Sequence, residues 1–220
     1  GSRRPRVATS TRWDEYDSAE IVEVDDRLAT SPARTAIALA AERSLESGVA
    51  AFDHVARVHG VDLAALRNQV AAHLPFRGGR KAEAALRIAT GAAESALESL
   101  SLVRIHQLGF PRPRQQVEFV VEGVRYRTDF FWPEFGVIGE ADGRSKFAAD
   151  PVETMWLEKR REDALRMASA GFARWGWDDA WLGRPLAVRL ERAGLTADPR
   201  NASKYAFRMQ GEDAKRGSDE

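Results

Sequence analysis

Two periods divide the chain. Between residues 32 and 108 apolar side chains recur at helical spacing, whereas between 116 and 140 they alternate with polar ones. Thr30-Ser31-Pro32 marks a helix start, because Ser31 can cap free amides and Pro32 suits the first helical position. The pattern predicts a helix over about 32–46, with Ile37, Leu39 and Leu45 apolar, and a second carrying Val49, Phe52 and Val55 that stops near Gly60. A third, capped by Asp62, places Leu63, Leu66, Val70 and Leu74 on one face and ends at Pro75. Phe76-Arg-Gly-Gly-Arg-Lys81 reads as a loop, with Gly78-Gly79 as a hinge. Helices over about 81–90 and 93–108 follow, the latter stopped by Gly109 ahead of Pro111 and Pro113.

Beyond this point the pattern is that of a sheet. Gln116 to Val121, the turn pair Glu122-Gly123 and Val124 to Phe130 predict an antiparallel hairpin. Pro133-Glu134 turns the chain into a short buried strand over 135–140. A charged helix over 151–170, a strand over 172–175, an aromatic stretch from Trp177 to Trp181 and a helix over about 185–193 complete the series. Ile21 to Val24 is a further short strand candidate. The order helix–β–β–β–helix–β predicts an α/β (α+β) fold: a mixed sheet flanked by helices, preceded by a small helical domain. The expected division is a helical region over 1–91, a mixed domain over 92–195 and a polar tail over 196–220.

Composition narrows the chemistry. With 33 basic and 33 acidic residues the formal charge is zero, so nucleic-acid binding requires a local basic patch. The absence of cysteine excludes disulfides, zinc–thiolate sites and a cysteine nucleophile, and fits a cytoplasmic location. No apolar run is long enough to span a bilayer, so no membrane partner is expected. The opening Gly1-Ser2, without methionine, reads as the scar of a cleaved tag, so a preceding natural segment is expected. His54, His59, His73 and His106 show no metal-ligand spacing, and neither a serine-nucleophile elbow nor a phosphate-cradling glycine loop occurs.

The chemistry-bearing groups lie at strand ends. Glu140 and Asp142 share a face if their strand runs through Asp142, and Lys146 follows the turn at Gly143. If strands 124–132 and 135–142 pair across the Pro133 turn, Asp129 comes into register with Glu140. Carboxylates this close repel one another, and a magnesium ion removes that repulsion while polarising a phosphate oxygen and a water. Lys146 would stabilise developing charge, and Glu98 would add a ligand through a water. The competing reading makes Asp129 and Glu140 ion-pair partners of Arg125, Arg127 or Arg144, Lys146 a solvated loop lysine, and Glu98 a wet helical face. Arg144, Lys159, Arg160, Arg161, Arg112 and Arg114 are candidate phosphate contacts, against a default of solvated charge. Arg77, Arg80 and Lys81 are further candidates on the glycine loop.

The arrangement resembles the PD-(D/E)XK restriction-endonuclease-like nucleases, and within them the branch of the very-short-patch-repair endonucleases, many of whose bacterial relatives are described as AbiEi-type antitoxins. The matching positions are Glu98 in Leu97-Glu-Ser-Leu, Asp129 in Thr-Asp-Phe, and Glu140-Ala-Asp142-Gly143 followed by Lys146. The Glu158 to Asp163 helix and Arg174-Trp175 also resemble that group, so the likeness covers roughly 93–182. It implies a metal-dependent endonuclease that uses Mg2+, with Mn2+ as a substitute, and acts on DNA. Asp129, Glu140 and the backbone carbonyl of Ala141 would be its metal ligands. Asp142 stands where the motif's lysine is expected, and many relatives carry histidine where this chain has Lys146. The alternative is therefore a non-catalytic, antitoxin-like or DNA-binding regulator that keeps the nuclease fold, with a toxin or other protein as partner. A monomer and a homodimer fit equally. Residues 21–90 resemble the linker and helices that follow a winged-helix module, which the resemblance places ahead of this chain.

Overall fold

The computed structural model describes residues 18–142 and 151–200. After a 3-10 turn at Ser18–Glu20 the chain forms a small hairpin, β1 (Ile21–Val24) with β2 (Arg27–Thr30). Five helices follow: α1 (Pro32–Glu42), α2 (Leu45–His59), α3 (Leu63–Ala72), α4 (Gly79–Ile88) and α5 (Ala96–Gln107). Next come β3 (Arg114–Val121), β4 (Val124–Trp132), β5 (Val137–Ala141), α6 (Pro151–Met167), β6 (Gly171–Trp175), α7 (Trp177–Leu182) and α8 (Arg184–Arg192).

Local chemistry sets the helix starts. The hydroxyl of Ser31 accepts from the amide of Arg34 at 3.3 Å, and Asp62 accepts from the amides of Ala64 and Ala65. The two helices expected here are present, but the boundary between them lies earlier than the expected 46. Ser44 is extended and caps α2 by accepting from Ser47 N at 3.2 Å, which stops α1 at Glu42. Gly78 lies at φ 82°, and a Cβ there would stand 2.2 Å from the Ala41 carbonyl oxygen. The glycine pair thus packs the start of α4 tightly against the end of α1.

The main sheet is open and mixed, in the order β3-β4-β5-β6. The first three strands are antiparallel, while β6 runs parallel to β5 after the α6 crossover. Phe130, Trp132, Ala173 and Trp175 form the face buried under α5, and Trp175 Nε1 donates to the Ser101 hydroxyl at 2.8 Å. Gly139 lets this aromatic layer close: a Cβ there would meet Trp175 at 2.7 Å and Trp132 at 3.0 Å. One apolar cluster runs from Ala36 and Ile37 on α1 to Leu186 and Leu190 on α8.

Buried polar groups tie the helices to one another. Asp53 on α2 accepts from the amides of Thr90 and Gly91 and from the Ser99 hydroxyl, at 2.7–2.9 Å. Burial still raises its pKa, against the opposing pull of those bonds. Arg104 on α5 donates to Glu46 on α2, to Gln107 and to the Ala180 carbonyl. Among the described residues, no helix is long and apolar enough to cross a membrane.

Candidate metal centre

One charged row crosses the sheet. Glu140 on β5 is in register with Arg174 on β6. Phe130 pairs with Gly139, so the next position along β4, Asp129, lies beside Glu140. Gln116 stands between the pairs Gln115–Phe130 and Val117–Thr128, opposite Asp129. Strand alternation turns Asp129, Glu140 and Arg174 away from the tryptophan layer, toward α6. Gln116 itself has φ 54°, a conformation that costs a non-glycine residue free energy and that places a strained backbone at this site.

The two carboxylates have unequal partners. Asp129 Oδ2 accepts from the Ala141 amide at 2.8 Å, and no cation bonds to it among the described residues. Burial, then the neighbouring Glu140 charge, push its pKa up to about 7, against the Ala141 hydrogen bond. The Glu140 side chain is 5% exposed and is held by Arg161 from α6 through both carboxylate oxygens, with Nη2 to Oε1 at 3.1 Å. Burial raises its pKa as well, opposed by Arg161 and Arg174. Arg161 also donates to the Arg127 carbonyl at 2.7 Å.

The remaining expected residues fall in several places. Glu98 is buried rather than on a wet face. Its oxygens accept from the Glu94 amide at 2.9 Å, the Ser95 hydroxyl at 2.9 Å and Gln116 Nε2 at 2.8 Å, while its own amide donates to Ser95. That is a helix cap in place, and it also puts a third negative charge within electrostatic reach of Asp129. β5 ends at Ala141, so Asp142 lies past the strand, half-exposed and 3.8 Å from Arg174. Arg112 is not a free phosphate contact, because its guanidinium caps α4 through the carbonyls of Arg87 and Ile88 at 2.9 and 3.0 Å. Arg114, Lys159 and Arg160 are exposed. Lys146 and Arg144 lie outside the described residues. Neither Arg125 nor Arg127 pairs with the carboxylates: Arg125 meets Glu118 and Arg127 meets Glu94.

Sequence reasoning missed Arg161 and Arg174 as the cations beside Glu140, and Gln116 as the residue opposite Asp129. Arg161 sits in a run of alternating charges whose default is solvation, so spacing alone did not single it out. Beside the row, a cleft of about 550 Å3 is lined by Asp142, Glu162, Arg166, Arg174, Arg189 and Arg192. Arg174 bonds Glu162 there at 3.0 Å, and its buried Nε has no acceptor among the described residues.

Comparison with known proteins identifies relatives without naming a chemistry. Neither a family model nor a solved structure matches the chain. It is 31% identical over 138 residues to two proteins of Mycobacterium tuberculosis, "Uncharacterized protein MT2308" of strain CDC 1551 and "Uncharacterized protein Rv2248" of strain H37Rv. The match takes in 62% of this chain and 51% of each relative, so the chain spans about half the length of the curated relatives it matches.

Among the described residues no group of three or more His, Asp or Glu side chains converges as metal ligands. A cation here would have two carboxylates, Asp129 and Glu140, with the Ala141 carbonyl at the adjoining strand end. Such a set suits Mg2+, which keeps several waters and is commonly bound by one or two carboxylates plus substrate phosphate. It lacks the histidine or cysteine ligands around which zinc sites are usually built.

Proposed function

We propose that the chain is a Mg2+-dependent DNA endonuclease with a restriction-endonuclease-like core, Mn2+ serving as a substitute. What supports this reading is the side-by-side placement of a half-buried Asp129 and a buried Glu140, with Arg161 bonded to Glu140 alone among the described residues. Purely structural carboxylates are usually matched by partners, because an uncompensated buried charge is costly. Among the described residues the deficit falls on Asp129, whose pKa is raised by burial and by the Glu140 charge.

In this reading Asp129 and Glu140 fix the cation, and the Ala141 amide holds Asp129 Oδ2 so that the carboxylate plane stays oriented. A divalent ion at this position would polarise a phosphate oxygen and make a water nucleophilic at neutral pH. Gln116 and Ser95 keep Glu98 fixed, so its charge raises the cation affinity of the site without direct ligation. Lys159 and Arg160, exposed on α6, would engage flanking phosphates, and Lys146 would stabilise the charge that develops in the transition state.

The test is cleavage of plasmid and of single-stranded and mismatched oligonucleotides with Mg2+ or with EDTA, for wild type and Asp129→Asn. Cutting that needs Mg2+ and falls by a factor of ~100 or more in the variant supports the reading. Equal cutting by the two proteins removes it.

A second reading has its own support. Asp142 stands where the resemblance calls for lysine, and the Arg161–Glu140 pair is a complete ion pair by itself. On those grounds the chain would be a non-catalytic, antitoxin-like or DNA-binding regulator on the same scaffold. DNA or toxin binding unchanged by Mg2+, and by loss of Asp129 or Glu140, is its signature.

A further inference from the structure

When both are ionised Asp129 and Glu140 carry two negative charges, and among the described residues Arg161 is the cation bonded to the pair. Arg174, the other cation in the row, is engaged by Glu162 and Asp142. A dication between the carboxylates balances the pair unaided, and Arg161 then becomes surplus. Dication and guanidinium also compete for the same atoms, because Arg161 engages both oxygens of Glu140. The arginine has somewhere to go. Its side chain is one-third exposed, and its remaining bond, to the Arg127 carbonyl, keeps it at the edge of the site. It is flanked on α6 by exposed Lys159 and Arg160. A guanidinium presents two parallel N–H groups that fit phosphate as well as carboxylate.

We propose that Arg161 is an exchangeable counter-ion, which holds Glu140 when no metal is present, yields both oxygens to the metal, and turns to a phosphate oxygen of bound DNA. This rests on the nuclease reading above. It makes Arg161 a positioning residue that couples the two ligands. Metal releases the arginine that DNA needs, and DNA holds the arginine away from the carboxylate that metal needs. Each ligand therefore tightens the other, by the same factor in both directions.

The experiment measures two affinities in wild type, Arg161→Gln, Arg161→Lys and Glu140→Gln. Mn2+ binding is followed by calorimetry, and binding of a short fluorescein-labelled DNA duplex by anisotropy, with Ca2+ in place of Mg2+ to prevent cutting. Removing the competitor should tighten Mn2+ binding in Arg161→Gln, on the order of tenfold for a bidentate pair. The same variant should bind DNA more weakly in Ca2+, with Arg161→Lys intermediate in both measurements. Charge loss alone would give the same two signs, so the deciding variant is Arg161→Lys, which keeps the charge: intermediate values in both measurements mark loss of the bidentate contact, and wild-type values in both would overturn the exchange. If Arg161→Gln leaves Mn2+ affinity unchanged or lowers it, the exchange is wrong, while loss of binding in Glu140→Gln alone leaves the metal site standing. Mn2+ binding that is weak in wild type and much tighter in Arg161→Gln supports the exchange in its strongest form. If none of the four proteins binds Mn2+, the exchange and the metal site fall together.

Discussion

Asp129 and Glu140 stand next to each other on neighbouring strands, yet among the described residues only Glu140 has an arginine in hydrogen-bond contact. Among the described residues Asp129 accepts one hydrogen bond, from the Ala141 amide, and burial with a like charge beside it leaves its pKa near neutrality. The asymmetry assigns most of the electrostatic cost of the site to one residue, and that has measurable consequences.

Asp129 should destabilise the metal-free protein at alkaline pH. Its carboxyl is pushed up to about 7 in the folded chain from an ordinary value of 3.8. The folded state therefore binds more proton between those values, and stability falls as pH rises through that window. At ~1.4 kcal/mol per pH unit, the effect above pH ~7 is on the order of a few kcal/mol. Asp129→Asn keeps an acceptor for the Ala141 amide and removes the charge. Urea denaturation should find this variant more stable than wild type at pH ~8, with the difference shrinking toward pH ~4. A variant that is less stable at pH ~8 would refute the assignment.

Glu98 should behave as a cap rather than a ligand. Its oxygens already accept from Glu94 N, the Ser95 hydroxyl and Gln116 Nε2. Glu98→Ala should cost ~1–2 kcal/mol in thermal or chemical unfolding, in line with loss of a helix cap. Metal affinity measured on the folded variant should fall by no more than a few-fold, reflecting one lost negative charge at a distance. A loss of about a hundredfold would instead make Glu98 a direct ligand.

Much of this arrangement was legible in the sequence, for identifiable reasons. The Glu122-Gly123 and Pro133-Glu134 turns fixed the strand registers, and those registers bring Asp129 beside Glu140. Asp62 and Ser31 announced two helix starts because capping is a local interaction. Ser44 does the same for α2 but follows an alanine-rich run, so the expected first helix ran past it to about 46. β2 was invisible: Arg27 to Thr30 is short, and its apolar residue Leu28 is 81% exposed, so no alternation marks it. The partners of the carboxylates were harder still. Which arginine of Glu158 to Asp163 faces the sheet depends on how α6 packs, a tertiary fact that a run of mixed charge does not encode. Glu98 looked solvated because the burial that surrounds it comes from β3, eighteen residues further along the chain.

The most direct test of the central claim is calorimetric titration of Mg2+ and Mn2+ into wild type and Glu140→Gln at pH ~8, where Asp129 is charged. Glutamine preserves the shape of the side chain and can still accept from Arg161, so the comparison isolates the carboxylate charge. The account predicts one saturable site in wild type, tighter for Mn2+, and its loss in Glu140→Gln. Equal binding by the two proteins, or binding by neither, would contradict a cation held between Asp129 and Glu140 and leave the row as a structural feature of the sheet.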